Sequence, residues 1–180
     1  MAAMGLAGQA WAGRPVQDRF SSLDPRPDNQ FGIESITLSD YAGFGLVYRR
    51  GFVGHLSLGV RLEYTYPDVG YGQLQGFNHS VELTGWVKRP WIGPFFSGSF
   101  SVGHAFMFSV PSLSAVALGG GVDAGWAWDL TEHLGLAFSM GIRNTVVVRD
   151  ATQICTLDDQ CIVVREAFVP RFALTFGYRF

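Results

Sequence analysis

Apolar and polar residues alternate with a period of two along most of this chain. In HLSLGVRLEYTY, Leu56, Leu58, Val60, Leu62, Tyr64 and Tyr66 share one face, and Ser57, Gly59, Arg61, Glu63 and Thr65 the other. In FFSGSFSVGHAFMF, Phe96, Phe100, Val102, Phe106 and Phe108 oppose Ser97, Ser99, Ser101, Gly103 and Ala105. Val116, Leu118, Val122, Ala124, Trp126 and Trp128 oppose Ala117, Gly119, Gly121, Asp123 and Asp129; Leu134, Leu136, Phe138, Met140 and Ile142 oppose Gly135, Ala137, Ser139, Gly141 and Arg143. The final FALTFGYRF puts Phe172, Leu174, Phe176, Tyr178 and Phe180 on one face. Weaker runs cover residues 35–49, with Ile36, Leu38, Phe44, Leu46 and Tyr48 on one face, and residues 79–88. Side chains alternate in this way on strands, not on helices. Residues 90–122 carry no Asp, Glu, Lys or Arg, but Pro94, Pro111 and the Gly119–Gly121 run would break a membrane-spanning helix there.

The composition bears on which face meets which solvent. Charged residues make up 16% of the chain, against about 25% in an ordinary soluble domain. Aromatics reach 14%, glycines number 23, and the net charge of −2 provides no basic field for nucleic acid. The exterior of a soluble barrel carries many Lys and Glu residues. Here the polar faces hold mostly Ser, Gly, Thr and Ala, which suit a narrow interior. The apolar faces end in aromatics, at Tyr64 and Tyr66, Phe106 and Phe108, Trp126 and Trp128, as the interfacial girdles of a membrane barrel do. The expectation is an inside-out protein whose apolar face meets lipid.

On these residues a family resemblance rests. FALTFGYRF resembles the last strand of bacterial outer-membrane β-barrels, which ends in Phe after alternating aromatic and apolar positions. WDLTEHLGLAF resembles their periplasmic turns. The pattern over residues 35–180 is similar to the small eight-stranded barrels of the OmpA, OmpX and opacity type. The resemblance implies an all-β, antiparallel, up-and-down transmembrane barrel in the bacterial outer membrane. It also implies a monomer in contact with membrane lipid and lipopolysaccharide. Phe172, Leu174, Phe176, Tyr178 and Phe180 would then be the signal read by the barrel-assembly machinery during insertion.

Even strand counts in such barrels make the seven runs demand an eighth. With residues 35–49 read as the second strand, the first falls within residues 1–25, and SLDPRPDN lies in the first external loop. Residues 1–30 are thus an amino-terminal segment, either that strand and loop or a signal-peptide remnant ending in Ala-Trp-Ala. Residues 31–180 form the barrel. The sequence ends with the barrel strand, so a peptidoglycan-binding domain is not expected to follow.

Chemistry is sparse. His55, His79, His104 and His133 have no metal-ligand spacing among them, and neither a metal nor a cofactor is expected. His104 has outward parity and suits a membrane interface. His79 and Ser80, with Glu82 close by, raise the alternative of a lipid A deacylase or acyltransferase. Adjacent strand residues point to opposite faces, which separates the nucleophile from the base. By parity Arg61, Glu63, Glu82, Lys88, Asp123, Asp129, Arg143, Arg171 and Arg179 point inward. Arg61, Glu63, Asp123, Arg143 and Arg171 are expected near middle height as an ion-paired plug, with Asp123 against Arg143. A narrow solute channel is the alternative use of the same residues. Cys155 and Cys161, in the proposed last external loop, are expected to form a disulfide after export. The expected role is non-enzymatic: envelope integrity or surface interaction through the external loops.

Overall fold

The computed structural model describes residues 28–38, 41–67, 74–107, 110–149, 153–155, 161–163 and 167–180. The strands are β1 (Asn29–Leu38), β2 (Tyr41–Val53), β3 (Leu56–Pro67), β4 (Leu74–Trp86), β5 (Gly93–Met107), β6 (Val110–Asp129), β7 (Leu134–Arg149), β8 (Gln153–Cys155), β9 (Cys161–Val163) and β10 (Ala167–Arg179). Eight of them close a barrel in the order β1-β10-β7-β6-β5-β4-β3-β2, and all pairs are antiparallel. β8 and β9 form a separate hairpin. Closure leaves the barrel itself no edge strand with unpaired backbone groups, which is what a strand wall needs in an apolar solvent.

The wall has its burial inverted. Phe96, Val122, Val87, Ile33 and Phe100 are each more than half exposed, while Glu34 and Glu63 are 0% exposed and Arg171 and Glu82 1%. Outward aromatics gather at two levels. Phe44, Tyr64, Phe77 and Phe106 form a ladder of rings, with neighbouring centroids 5.4, 5.1 and 5.9 Å apart. At the Phe180 end, Trp126 and Trp128 are exposed, and Tyr178 stacks between His133 and Phe180. Between Phe168 and Phe180, both exposed, β10 advances about 40 Å, or about 30 Å along the axis at the usual tilt.

The amino-terminal expectation needs correction. Residues 35–49 are not one strand but parts of two, β1 and β2, whose ends Leu38 and Tyr41 are register partners. A connection of two residues reverses parity, so Ile36 faces the lumen at 1% exposure while Phe44, Leu46 and Tyr48 face outward. The first barrel strand is therefore not within residues 1–25. Nor is SLDPRPDN wholly an external loop. Asn29, its last residue, exchanges backbone hydrogen bonds with Phe180 at 3.2 and 3.0 Å, at the opposite end from the Leu38–Tyr41 connection. The remaining expectations for residues 1–27 lie outside the described residues.

Candidate functional site

The barrel interior concentrates the chain's unusual chemistry. Four carboxylates (Glu34, Glu63, Glu82 and Asp123) and four guanidiniums (Arg49, Arg61, Arg143 and Arg171) are buried in it side by side, and a fifth guanidinium, Arg179, is buried nearer the Phe180 end. Each is placed by strand parity, from β1, β2, β3, β4, β6, β7 and β10. Arg143 holds Glu63 with both arms of its fork, at 2.6 and 3.0 Å. Arg171 reaches Glu34 at 2.9 Å, Glu63 at 3.3 Å and Asp123 at 3.4 Å. Arg61 bridges Glu34 at 2.9 Å and Glu82 at 2.5 Å, and Arg49 also pairs with Glu82. Asn78 donates to Glu63 at 2.8 Å and Thr175 to Glu34 at 3.1 Å. Equal numbers of opposite charges, fork geometry and neutral donors together offset the cost of removing such groups from water.

Arg61, Glu63, Asp123, Arg143 and Arg171 thus meet in one lattice. The partnerships differ from the expected ones: Asp123 meets Arg171, while Arg143 crosses to Glu63. The register opposite Asp123 is Gly141 rather than Arg143. Glu34 and Arg49 belong to the lattice as well. Parity read along residues 35–49 as one strand puts Arg49 inside, opposite Phe44, Leu46 and Tyr48, but carried back to Glu34 it would put that residue outside with Ile36, because the reversal lies between β1 and β2. Lys88 is exposed beyond the end of β4 and does not point inward. Arg179 and Asp129 pair near the Phe180 end.

That end holds a second structure. Residues 87–92 connect β4 to β5 and send the Trp91 indole into the barrel mouth, where it is 2% exposed. Trp91 packs edge-on against Trp86 at 5.5 Å, and Trp86 lies 4.9 Å from Phe95. Ala127 and Ala137 complete the cluster. Trp86 donates from Nε1 to Ser57 Oγ at 3.0 Å, and Arg179 donates to the Trp91 carbonyl at 2.9 Å. Gly125 leaves room for Phe95: a Cβ there would overlap the ring.

His79 is exposed on the outer wall between Leu62 and Val102, whereas Ser80 is buried in the lumen. The two therefore do not form a nucleophile–base pair. His104 is exposed on the outer wall opposite Phe77, at the level of the ring ladder. No group of three His, Cys, Asp or Glu residues among those described could hold a metal ion. β8 and β9 place the backbones of Cys155 and Cys161 opposite each other; their side chains lie outside the described residues. Phe172, Leu174, Phe176, Tyr178 and Phe180 all face outward on β10 or at its end.

No family model and no curated protein matches the sequence. Solved structures do. Neisserial surface protein A superposes with a TM-score of 0.54 at 12% identity, covering 84% of this chain and 94% of that one. The fold is that of the small eight-stranded outer-membrane barrels. The amino-terminal barrel domain of Pseudomonas aeruginosa OprF gives 0.47 at 15% identity, over 86% and 98% of the two chains. Ail, the attachment invasion locus protein of Yersinia pestis, gives 0.40 at 14% identity, over 86% and 99%.

Proposed function

We propose that this protein is an integral barrel of a bacterial outer membrane. Its role is structural or adhesive, performed by the connections at the end away from Phe180, and involves neither catalysis nor conduction. The observation that carries the reading is the pairing of an apolar outer wall, bounded by two aromatic levels, with a charge-balanced, ion-paired interior. A wall of that kind suits hydrocarbon about 30 Å thick. A lumen of that kind suits a rigid stave rather than a pore, since its charged side chains are held by one another. In this reading the Phe180 end faces the periplasm, lipopolysaccharide surrounds the ring ladder, and the outward residues of β10 address the assembly machinery.

The separation of His79 from Ser80 weighs against a lipid A-modifying enzyme, and the filled lumen weighs against a channel. The membrane reading is tested by refolding the protein into detergent and into liposomes. The expected result is flotation with the vesicles and a shift in electrophoretic mobility between unheated and boiled samples. Solubility without detergent together with identical mobilities would overturn it. The functional half is tested by grafting residues 150–166 onto another small barrel and measuring cell attachment. Failure of the graft to transfer any binding shown by the intact protein would count against a role for that connection.

A further inference from the structure

The β4–β5 connection is built differently from a simple linker. Arg89 and Ile92 form an isolated bridge, and Ile92 N–H donates to the Arg89 carbonyl at 3.4 Å. Between them stand Pro90 and Trp91, and Trp91 has φ +74°, while no other non-glycine residue among those described has a positive φ. Proline second and a left-handed residue third are the marks of a type II turn, whose third position is ordinarily glycine. A tryptophan there is strained. The chain accepts that strain where the indole is almost wholly buried against Trp86 and where Arg179 anchors the Trp91 carbonyl. The cluster lies below the ion lattice. Along β4 the inward residues run Trp86, Thr84, Glu82, so Thr84, 1% exposed, separates the aromatic layer from the charged one.

We infer that the barrel carries two independent seals in series: the ion lattice at middle height and a Trp91 stopper at the Phe180 mouth. The two seals act by different physics. The lattice excludes ions because its charges are already paired, and it yields to loss of a charge. The stopper excludes water by apolar packing and draws on none of the lattice's charges: the guanidinium that anchors it, Arg179, pairs with Asp129. Opening one therefore leaves the other closed, and no single substitution turns the barrel into a pore. This goes beyond the membrane reading and uses it only for the bilayer arm of the test.

The turn geometry provides a suitable variant. Trp91→Gly removes the stopper and puts into the left-handed position the residue that position favours, so the turn itself is kept. Trp91→Asn is the second variant, since asparagine also tolerates that conformation. The reporter is Thr84→Cys in a Cys155→Ser/Cys161→Ser background, treated with a small charged methanethiosulfonate. Flotation with liposomes and heat-dependent mobility are checked first, so that loss of insertion is recognised as failure of the membrane reading instead. With Trp91 present, the introduced thiol is expected to stay unlabelled. In the Trp91→Gly and Trp91→Asn variants it is expected to label at least tenfold faster, while planar-bilayer current remains at the wild-type baseline. Fast labelling with Trp91 in place, or no acceleration without it, would show that the indole is not a seal. Steady conductance from Trp91→Gly alone would show that the lattice is not one.

Discussion

Arg143 and Glu63 clasp each other across the full width of the barrel. β7 and β3 stand four places apart in the ring of eight, so this two-bonded pair is a diametral strut. Glu63 also receives Arg171 and Asn78. Glu63→Ala would leave Arg143 without a carboxylate that any observed contact supplies. Breaking a buried pair from one side costs roughly 3–5 kcal/mol. Unfolding by urea in lipid vesicles should show a loss of that size. Glu63→Ala combined with Arg143→Met should recover part of it, because no unpaired guanidinium is then left at that site. A double variant as unstable as the single would show that the strut is not the source of the loss.

Asp123→Ala should be milder. Its contact with Arg171 is 3.4 Å long, and Arg171 retains Glu34 and Glu63. A loss of about 1.5–3 kcal/mol is expected, the range for one hydrogen bond to a charged group. A loss equal to that of Glu63→Ala in the same urea titration would mean that charge balance, rather than contact geometry, governs the lattice.

The outer wall makes the opposite demand. Val122, more than half exposed, has Gly98 and Ile142 as register partners and lies between the two aromatic levels. Val122→Arg should cost about 2–4 kcal/mol in a bilayer, as charges do on the lipid face of a barrel. On a water-exposed surface the same change is nearly neutral. Stability in vesicles unchanged by Val122→Arg would argue that this face does not meet lipid.

Gly125→Val tests the packing under the stopper. Even a Cβ at that site would overlap both the Phe138 carbonyl oxygen and the Phe95 ring. Overpacking of this kind costs about 1–3 kcal/mol or more. Refolding yield and urea midpoint should both fall. Gly125→Val paired with Phe95→Leu should regain part of the loss if the ring is the obstacle.

Cys155 and Cys161 sit at opposed positions of the β8–β9 hairpin. Directly opposite residues of an antiparallel pair have Cα atoms about 4.5–5.5 Å apart, within the span a disulfide bridges. We expect an intramolecular bond in protein from an oxidising compartment. Alkylation of the native protein should modify neither cysteine before reduction and both afterwards. Two reactive thiols without reductant would refute it.

The barrel is legible in the sequence wherever a strand carries its own uninterrupted alternation. β3, β5, β6, β7 and β10 fall at about their expected places because large outward side chains and small inward ones mark each position. The first hairpin does not. Ile36 and Phe44 are both apolar and both at even positions, so they look like one face. Only the short connection between Leu38 and Tyr41, after which parity reverses, reveals that Ile36 is inside. Glu34 is hidden for the same reason, whereas Arg49, opposite Phe44, Leu46 and Tyr48, has inward parity along its own strand. Inward charges are readable one strand at a time, but their partners are not. Which strands oppose each other across the lumen depends on closure and stagger of the whole barrel. Trp91 is hidden because its inward turn comes from a backbone conformation that its residue type disfavours.

The seam between β1 and β10 has a temporal consequence. Asn29 and Phe180 bond backbone to backbone although they stand 151 positions apart in the chain. Every other neighbouring pair in the barrel joins strands that follow one another along the wall in chain order, whereas one flank of β1 waits until β10 arrives. Until then the ribbon would present two rows of unmet amides and carbonyls to hydrocarbon, each group at a cost of several kcal/mol. Partial assembly inside a bilayer is therefore worse than none, and the last dozen residues decide the fate of all that precede them. Loss of even the final few should leave the seam open and turn a stable barrel into a substrate for proteases, with no half-built form to accumulate in between.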